Sequence, residues 1–430
     1  MNLRTLLRFT SALRFAPLAV GVALFYFFHT TSLGLRQFSL GYPPSVVATS
    51  LEVMYPFAYA TAIALGAWES GRLREAEIWQ LAPARSQYRI AAQVLWPAVG
   101  VAWSLLLLPV VLGFAQERSM PTLQSLPPLL MGMLLCVAHS VIGFIVGCRV
   151  KRIVAAPVVA AGAWLAVAMS WTVEPFWWRH ILGTFEPIEF GERASAIAIL
   201  ADVLPTCGLA VALLLYGVAL HRSIGKLGSA VLAILVFASC SGAGFQLARD
   251  WGASAPMARA EVPMTCVGHD PEVCVPDISE SMLPSIATQV TTSLTRLQSA
   301  GVTESPSLVT DSLPDGRSPR ASTSQTWYVD LSRGASAGRL ATLIIRAAVR
   351  FPCHDPEPEL ARTVLLWAAT KAHQVGEVES GFKEDPFFDE AQRNRLHRRV
   401  AAVLSQPEQR QAQWYRRSLV VACDQPGSPS

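Results

Sequence analysis

The spacing of uncharged stretches constrains this chain more than any other feature. Seven runs of about 18 residues or more carry almost no charge, and that is the length a helix needs to cross a hydrocarbon core about 30 Å thick. They lie near Ala16–Gly34, Ser45–Trp68, Ile90–Phe114, Pro127–Cys148, Ile153–Trp171, Leu200–Leu220 and Leu227–Leu247. The first run is too long for a signal-peptide core and lacks a small-x-small cleavage site, so it is expected to be retained. Only 15% of the 430 residues are charged, against about 25% in soluble domains, and the deficit is concentrated before Arg249. The expectation is an all-α polytopic membrane protein.

Orientation follows from the Lys and Arg count in the short connections. With the N-terminus inside, the inner segments hold twelve: Arg4, Arg8 and Arg14, then Arg72, Arg74, Arg85 and Arg89, then Arg149, Lys151 and Arg152, then Arg222 and Lys226. The outer loops hold four, Arg36, Arg118, Arg179 and Arg193. Seven crossings from an inner N-terminus then put everything after Arg249 outside. The expected organisation is an amphipathic inner-surface helix over 1–15, a transmembrane domain over 16–247, and an extracytoplasmic domain over 248–430. Residues 1–15 fit either a basic helix lying on anionic lipid or a plain positive-inside anchor. The net charge of +4 averages two unlike halves, and no basic stripe with interleaved aromatics points to nucleic acid.

The cysteines divide in the same way. Cys136, Cys148, Cys207 and Cys240 lie in or beside spans, whereas Cys266, Cys274, Cys353 and Cys423 all fall in the exported half. An even number in an oxidising compartment implies two disulfides, with three possible pairings. Cys266–Cys274 with Cys353–Cys423 is favoured, because the first pair closes a short loop around Pro271; free buried thiols are the alternative. The exported half is expected to be mainly α, with helices near Ile278–Gln298, Ser336–Arg350, Pro358–Val375, Asp389–Leu404 and Pro407–Val421. The Ser/Pro-rich stretch Gly301–Gln325 is expected to be a long loop, Thr326–Leu331 a single short strand, and the tail from Asp424 disordered. Between spans five and six, the aromatic, Pro-broken stretch Thr172–Ser195 fits a half-inserted helical hairpin or an ordinary interfacial loop.

Enzymatic motifs are missing. There is no GxxxxGK[ST], HExxH, nucleophile elbow or paired CxxC. His139 and Ser140 are adjacent on a helix and so point about 100° apart, which suits helix packing and not a dyad. Glu52 is the one carboxylate well inside an apolar run, placed either on a substrate or proton path or where it reaches water. Asp202 lies nearer a span end, at the interface. "HDPE" occurs at His269–Glu272 and again at His354–Glu357, beside cysteines, where an Asp-Pro turn is favoured over a metal site. No cofactor and no metal are expected.

The polar gap Glu69–Arg89 interrupts this apolar sequence on the inner side. Leu73, Ile78, Trp79 and Leu81 form an apolar set, Arg72, Arg74, Glu75 and Glu77 a charged one, and Pro83 a stop, as in a short helix that docks a partner. A solvated positive-inside loop is the plainer alternative. Glu69, Gly71, Leu81, Pro83 and Arg85 together resemble the first cytoplasmic loop of ABC-2 type transporter permeases, in which a coupling helix seats in a separate ATP-binding subunit. The resemblance covers about the first 220 residues. It implies ATPase-coupling roles for Glu69, Gly71, Arg72, Arg74, Leu81, Pro83 and Arg85, with an ATP-binding subunit and a second permease copy or relative as partners. The family core has six spans with both ends inside; this chain adds a seventh and an exported domain. High Ala and Arg with little Lys points to a GC-rich, actinobacterial type of source and thus to a bacterial cell membrane. The function expected is an exporter subunit moving an amphiphilic or peptide-like substrate. A membrane-anchored receptor or accessory subunit is the second reading and a membrane enzyme the third.

Overall fold

The computed structural model describes residues 11–78, 87–221, 226–353, 355–383 and 389–424. The chain divides into two compact units on either side of the Arg259–Ala260 bond, later than the boundary near 248 expected from composition.

Unit 1 is a helical membrane bundle. Among the described residues, six helices are long and apolar enough to cross a bilayer, and a bent pair raises the number to seven if it counts as one span. Helix α1 (Ala12–Gly34) contains a π-helical stretch over Phe27–Thr31. It begins at Ala12, so the last residues of the expected surface helix belong to the span itself; residues 1–10 lie outside the described residues. The bent pair is α2 (Pro43–Leu51) and α3 (Met54–Glu75), which meet at 54°. Proline explains both ends of α2. Pro43 and Pro44 occupy the first turn, where a missing N–H costs nothing. Pro56, one turn into α3, has no N–H to donate to the Glu52 carbonyl and its ring crowds that carbonyl, so the helix breaks at Glu52–Val53.

The remaining helices are α4 (Gln87–Glu117), α5 (Leu126–Gly147), α6 (Arg152–Met169), α7 (Ala196–His221) and α8 (Lys226–Ala248). Helix α3 is the axis of the bundle, with Tyr55, Ala58, Tyr59 and Ala62 fully buried. The outward faces of α6, α7 and α8 present Val158, Leu165, Ile197, Leu214, Ile234 and Leu235, an apolar surface suited to lipid tails. Helices α3 and α5 approach through small residues: a methyl added to Gly66 would overlap the Ser140 carbonyl, one on Gly143 the Ile63 carbonyl, and one on Gly147 the Ala67 carbonyl.

The stretch between α6 and α7 is not a helical hairpin. A 3-10 turn over Phe176–His180 leads into irregular chain whose Phe185, Ile188 and Phe190 are buried, and a strand β1 (Glu192–Ala194) pairs antiparallel with β2 (Met257–Arg259). Two prolines and a glycine at positive φ, Gly183, prevent a continuous helix here.

Unit 2 is mostly helical as expected, but it holds a four-stranded sheet where a single strand was expected. Its sheet runs β3-β4-β5-β6, formed by β3 (Met264–Val267), β4 (Glu272–Pro276), β5 (Leu308–Asp311) and β6 (Thr326–Val329). The β3–β4 pair is antiparallel, and β4, β5 and β6 are mutually parallel. Strand β5 lies inside the Ser/Pro-rich stretch expected to be loop. Helix α9 (Leu283–Ser299) makes the crossover from β4 to β5, burying Leu283, Ile286, Val290, Leu294 and Leu297 at helical spacing. The helix expected over Ser336–Arg350 starts later, as α11 (Leu340–Ala348), and is preceded by a short helix not expected there, α10 (Leu331–Ser336), with Gly338 at positive φ between the two. Helix α12 (Pro358–Lys371) stops short of Val375, where α13 (Val375–Lys383) begins. Helices α14 (Glu390–Leu404) and α15 (Glu408–Val421) match the expected bounds closely, and Asp389 caps α14 through the Gln392 amide at 2.6 Å. Trp327 and Trp367 are the largest fully buried side chains of its core.

The two disulfides are Cys266–Cys274, across β3 and β4, and Cys353–Cys423, which ties the start of α12 to the end of α15. The tail beyond Asp424 lies outside the described residues.

Candidate functional site

The end of α3 carries the first part of the polar gap. Glu69, Gly71, Arg72 and Arg74 sit on the last two turns of α3 and not on a separate short helix; Leu81, Pro83 and Arg85 lie outside the described residues. Glu69 is only 3% exposed, so its charge must be satisfied from within. It accepts from the Ser11 amide at 2.9 Å, from the Ser11 hydroxyl, and from Arg72 Nη1 at 2.9 Å. One turn on, Glu75 pairs with Arg152 Nη2 at 3.0 Å. The Arg152 guanidinium lies 5.0 Å from the centre of the Trp68 ring, a cation–π contact. Gly71 makes this possible, because a Cβ there would run into the Arg152 side chain. Three helices are thus fastened at one end: α1 by Ser11, α3 by Glu69, Arg72 and Glu75, α6 by Arg152. Arg152 Nε is buried and has no acceptor among the described residues.

Directly beside this brace is a cavity of about 310 Å³ between α1, α3, α4 and α6. Phe15 and Leu18 of α1, Phe57, Leu65 and Trp68 of α3, and Ala156 of α6 line it, and Thr61 and the Trp68 indole supply its few polar groups. Trp68 belongs to both features: one face of its surroundings is the groove wall and the other is Arg152.

At the other end of α3, the chain between α6 and α7 is tied into the bundle. Tyr59 donates to the Gly183 carbonyl at 2.7 Å, and the Gly183 amide donates to Asp202 at 3.0 Å. Asp202 is 3% exposed, so it is an internal staple and not an interfacial group. Glu186 accepts from the Ala255 amide at 2.6 Å and His180 Nε2 lies 3.0 Å from the Gly252 carbonyl, binding the segment that follows α8. Glu52 sits half-buried at the α2–α3 break. His139 stacks on Tyr59, with ring centres 4.7 Å apart, and its Nδ1 lies 2.8 Å from the Leu135 carbonyl, so it forms no dyad with Ser140.

In unit 2 the clearest polar construction is Asp311, fully buried at the end of β5. Its carboxylate accepts from the Leu313 amide at 3.0 Å, the Leu331 amide at 3.2 Å, the Ser332 amide at 3.0 Å and the Ser332 hydroxyl. It therefore caps α10 and fixes the carboxyl ends of β5 and β6 to each other. Burial raises its carboxyl above the usual carboxylate range, against the opposing pull of these donors, and burial also raises the neighbouring Asp330 against Arg333. A carboxyl raised by folding contributes stability that is complete below its unfolded value and is lost as pH climbs through the raised value. Hydrogen exchange of the Leu308–Ser336 region, corrected for intrinsic rates, is expected to show protection falling as pH rises above the usual carboxylate value. Asp311→Asn is expected to flatten that slope. Protection that instead grew over this range would contradict the assignment.

Cys266, Glu272 and Cys274 stand close enough to suggest a metal, but both sulfurs are spent in a disulfide and cannot ligate. Of the two "HDPE" histidines, His269 is exposed and His354 lies outside the described residues. The sequence marked Glu69, Gly71, Arg72 and Glu75 but gave no sign that Ser11 and Arg152 would join them.

Residues 273–423 match the model of a domain of unknown function, DUF7224, which covers most of unit 2 and none of the bundle. No curated protein and no solved structure matches the chain.

Proposed function

We propose that the chain is the membrane-spanning permease subunit of an ABC-type exporter, carrying an amphiphilic or peptide-like substrate and driven by a separate ATP-binding subunit. The supporting observation is the brace at the end of α3. A partner pressing on the segment that follows Glu75 would act on α1, α3 and α6 together, because Ser11, Glu69, Arg72, Glu75 and Arg152 fasten them. These are three of the four helices around the apolar cavity, so force applied at the brace is delivered to the cavity walls. The twelve-to-four Lys and Arg bias supports a cytosolic face for the brace, where ATP is available, and an outer side for unit 2. The two disulfides of unit 2 agree with that side.

Reversing charge at Arg74, or at Arg72 and Arg74 together, is expected to reduce co-purification of the ATPase at least about tenfold and to abolish transport, as loss of docking charge pairs does at other interfaces. The measurement is pull-down of the complex from its native operon with a vesicle transport assay. Unchanged capture and unchanged transport would overturn the coupling role. The second reading, a membrane-anchored receptor or accessory subunit, draws on one observation: unit 2 has its own core and its own disulfides. It would be favoured by purification with a bound external ligand and without any ATPase.

A further inference from the structure

We propose that the cavity between α1, α3, α4 and α6 holds one acyl chain of an anionic phospholipid, with its phosphate on Arg152. This names a ligand class for the cavity used by the permease reading and rests on that reading for its place in transport.

Three observations converge. The walls, from Phe15 and Leu18 to Phe57, Leu65 and Ala156, offer almost nothing to a polar ligand, so a peptide backbone or sugar would lose its hydrogen bonds there. A hydrocarbon tail loses none. The chemistry changes at one end only: Trp68 closes the wall, and the Arg152 guanidinium lies against its ring. Arg152 spends Nη2 on Glu75 but leaves Nε–H without an acceptor among the described residues. A phosphate oxygen is the acceptor that an Arg at a membrane interface meets most readily, and the charge-assisted bond repays the burial of that N–H. The surroundings select against a choline headgroup: Arg149 and Lys151 come just before Arg152, the first residue of α6, and Arg72 and Arg74 lie in the last turn of α3, against Glu69 and Glu75.

The test uses full-length protein in detergent, with no ATPase and no nucleotide. Native mass spectrometry follows adducts from an equimolar mixture of phosphatidylglycerol and phosphatidylcholine carrying the same chains. The wild type is expected to retain phosphatidylglycerol about fivefold over phosphatidylcholine, the difference made by one positive charge, that of choline, beside the basic cluster. Ala160→Phe, which fills the cavity from α6, is expected to lower both adducts about tenfold. Arg152→Gln removes a contact with the phosphate that both lipids carry, so it is expected to lower both adducts about fivefold and to leave the preference in place. Equal binding of the two lipids by the wild type would overturn the proposal, and so would full phosphatidylglycerol retention by Ala160→Phe. The wild-type comparison needs no variant, so a substitution that fails to fold leaves the proposal exposed to refutation. A wild type that captures no ATPase from its native operon yet keeps the lipid preference would sink the permease reading alone; a wild type that captures it but shows no preference would sink this one alone.

Discussion

Replacing Cys353 and Cys423 by serine is expected to lower the stability of unit 2 by about 4 kcal/mol, the chain-entropy value for a loop of this length. The bridge closes 70 residues, whereas Cys266–Cys274 closes 8, for which the same relation gives about 2.5 kcal/mol. The difference matters because of what each loop contains. Cys266–Cys274 joins neighbouring strands already paired by the β3–β4 ladder. Cys353–Cys423 encloses α12 to α15, and the Glu357 amide reinforces it by donating to the Ala422 carbonyl at 2.7 Å. Trp367 of α12 stacks on Tyr415 of α15 with ring centres 5.1 Å apart, so releasing the bridge loosens this pair and with it the core. Hydrogen exchange on the full chain should show protection lost first across α12 and α15. A drop under about 1 kcal/mol, or a larger effect from the Cys266 and Cys274 pair, would contradict the account.

Gly143→Val is expected to cost unit 1 about 3 kcal/mol or more, the upper range for overpacking, because the added Cβ meets a carbonyl and not a movable side chain. The Ile63 oxygen occupies that space, and Gly66 and Gly147 are closed in the same way by the Ser140 and Ala67 oxygens. Close contact along α3 and α5 is what packs the bundle, since lipid removes the hydrophobic drive between helices. Gly100 in α4 and Gly162 in α6 are internal controls: nothing stands within 4 Å of a Cβ at either. Valine there is expected to shift melting in detergent by no more than a surface substitution does, within about 0.5 kcal/mol. Equal effects at Gly143 and Gly162 would mean that α3 and α5 do not meet as described.

The membrane half was legible because its signal is length. Eighteen uncharged residues mean the same thing wherever they occur, and the helices from α4 to α8 fall within a few residues of the expected runs. The break at Glu52 was also within reach, since Pro56 marks it by the missing N–H to residue 52. The preferred cysteine pairing was readable from the short span between Cys266 and Cys274. The sheet of unit 2 was not. Its strands are four or five residues long, and β5 is a parallel partner of β4 and β6, so Leu308–Asp311 gains its ladder from chain more than a dozen residues away on either side. "SLVTDSLPDG" has the composition of a loop, and only the pairing makes its first half a strand. The brace failed for a related reason. Glu69 resembles any acid in a polar gap until Ser11, 58 residues earlier, is brought against it. The chain before α7 misled because its aromatics fit a membrane interface, whereas Asp202, Tyr59 and Glu186 hold it inside the protein end of the bundle.

Sidedness is the measurement on which the transport account turns. With the four free thiols Cys136, Cys148, Cys207 and Cys240 replaced by alanine, single cysteines at Ala76, just past α3, and at Gln289, on the exposed face of α9, can be challenged with a membrane-impermeant maleimide in intact cells. The account predicts that the cysteine at 289 is labelled at once and the one at 76 only after lysis. Labelling of both, or of neither, before lysis would place the two positions on one side of the bilayer and contradict it.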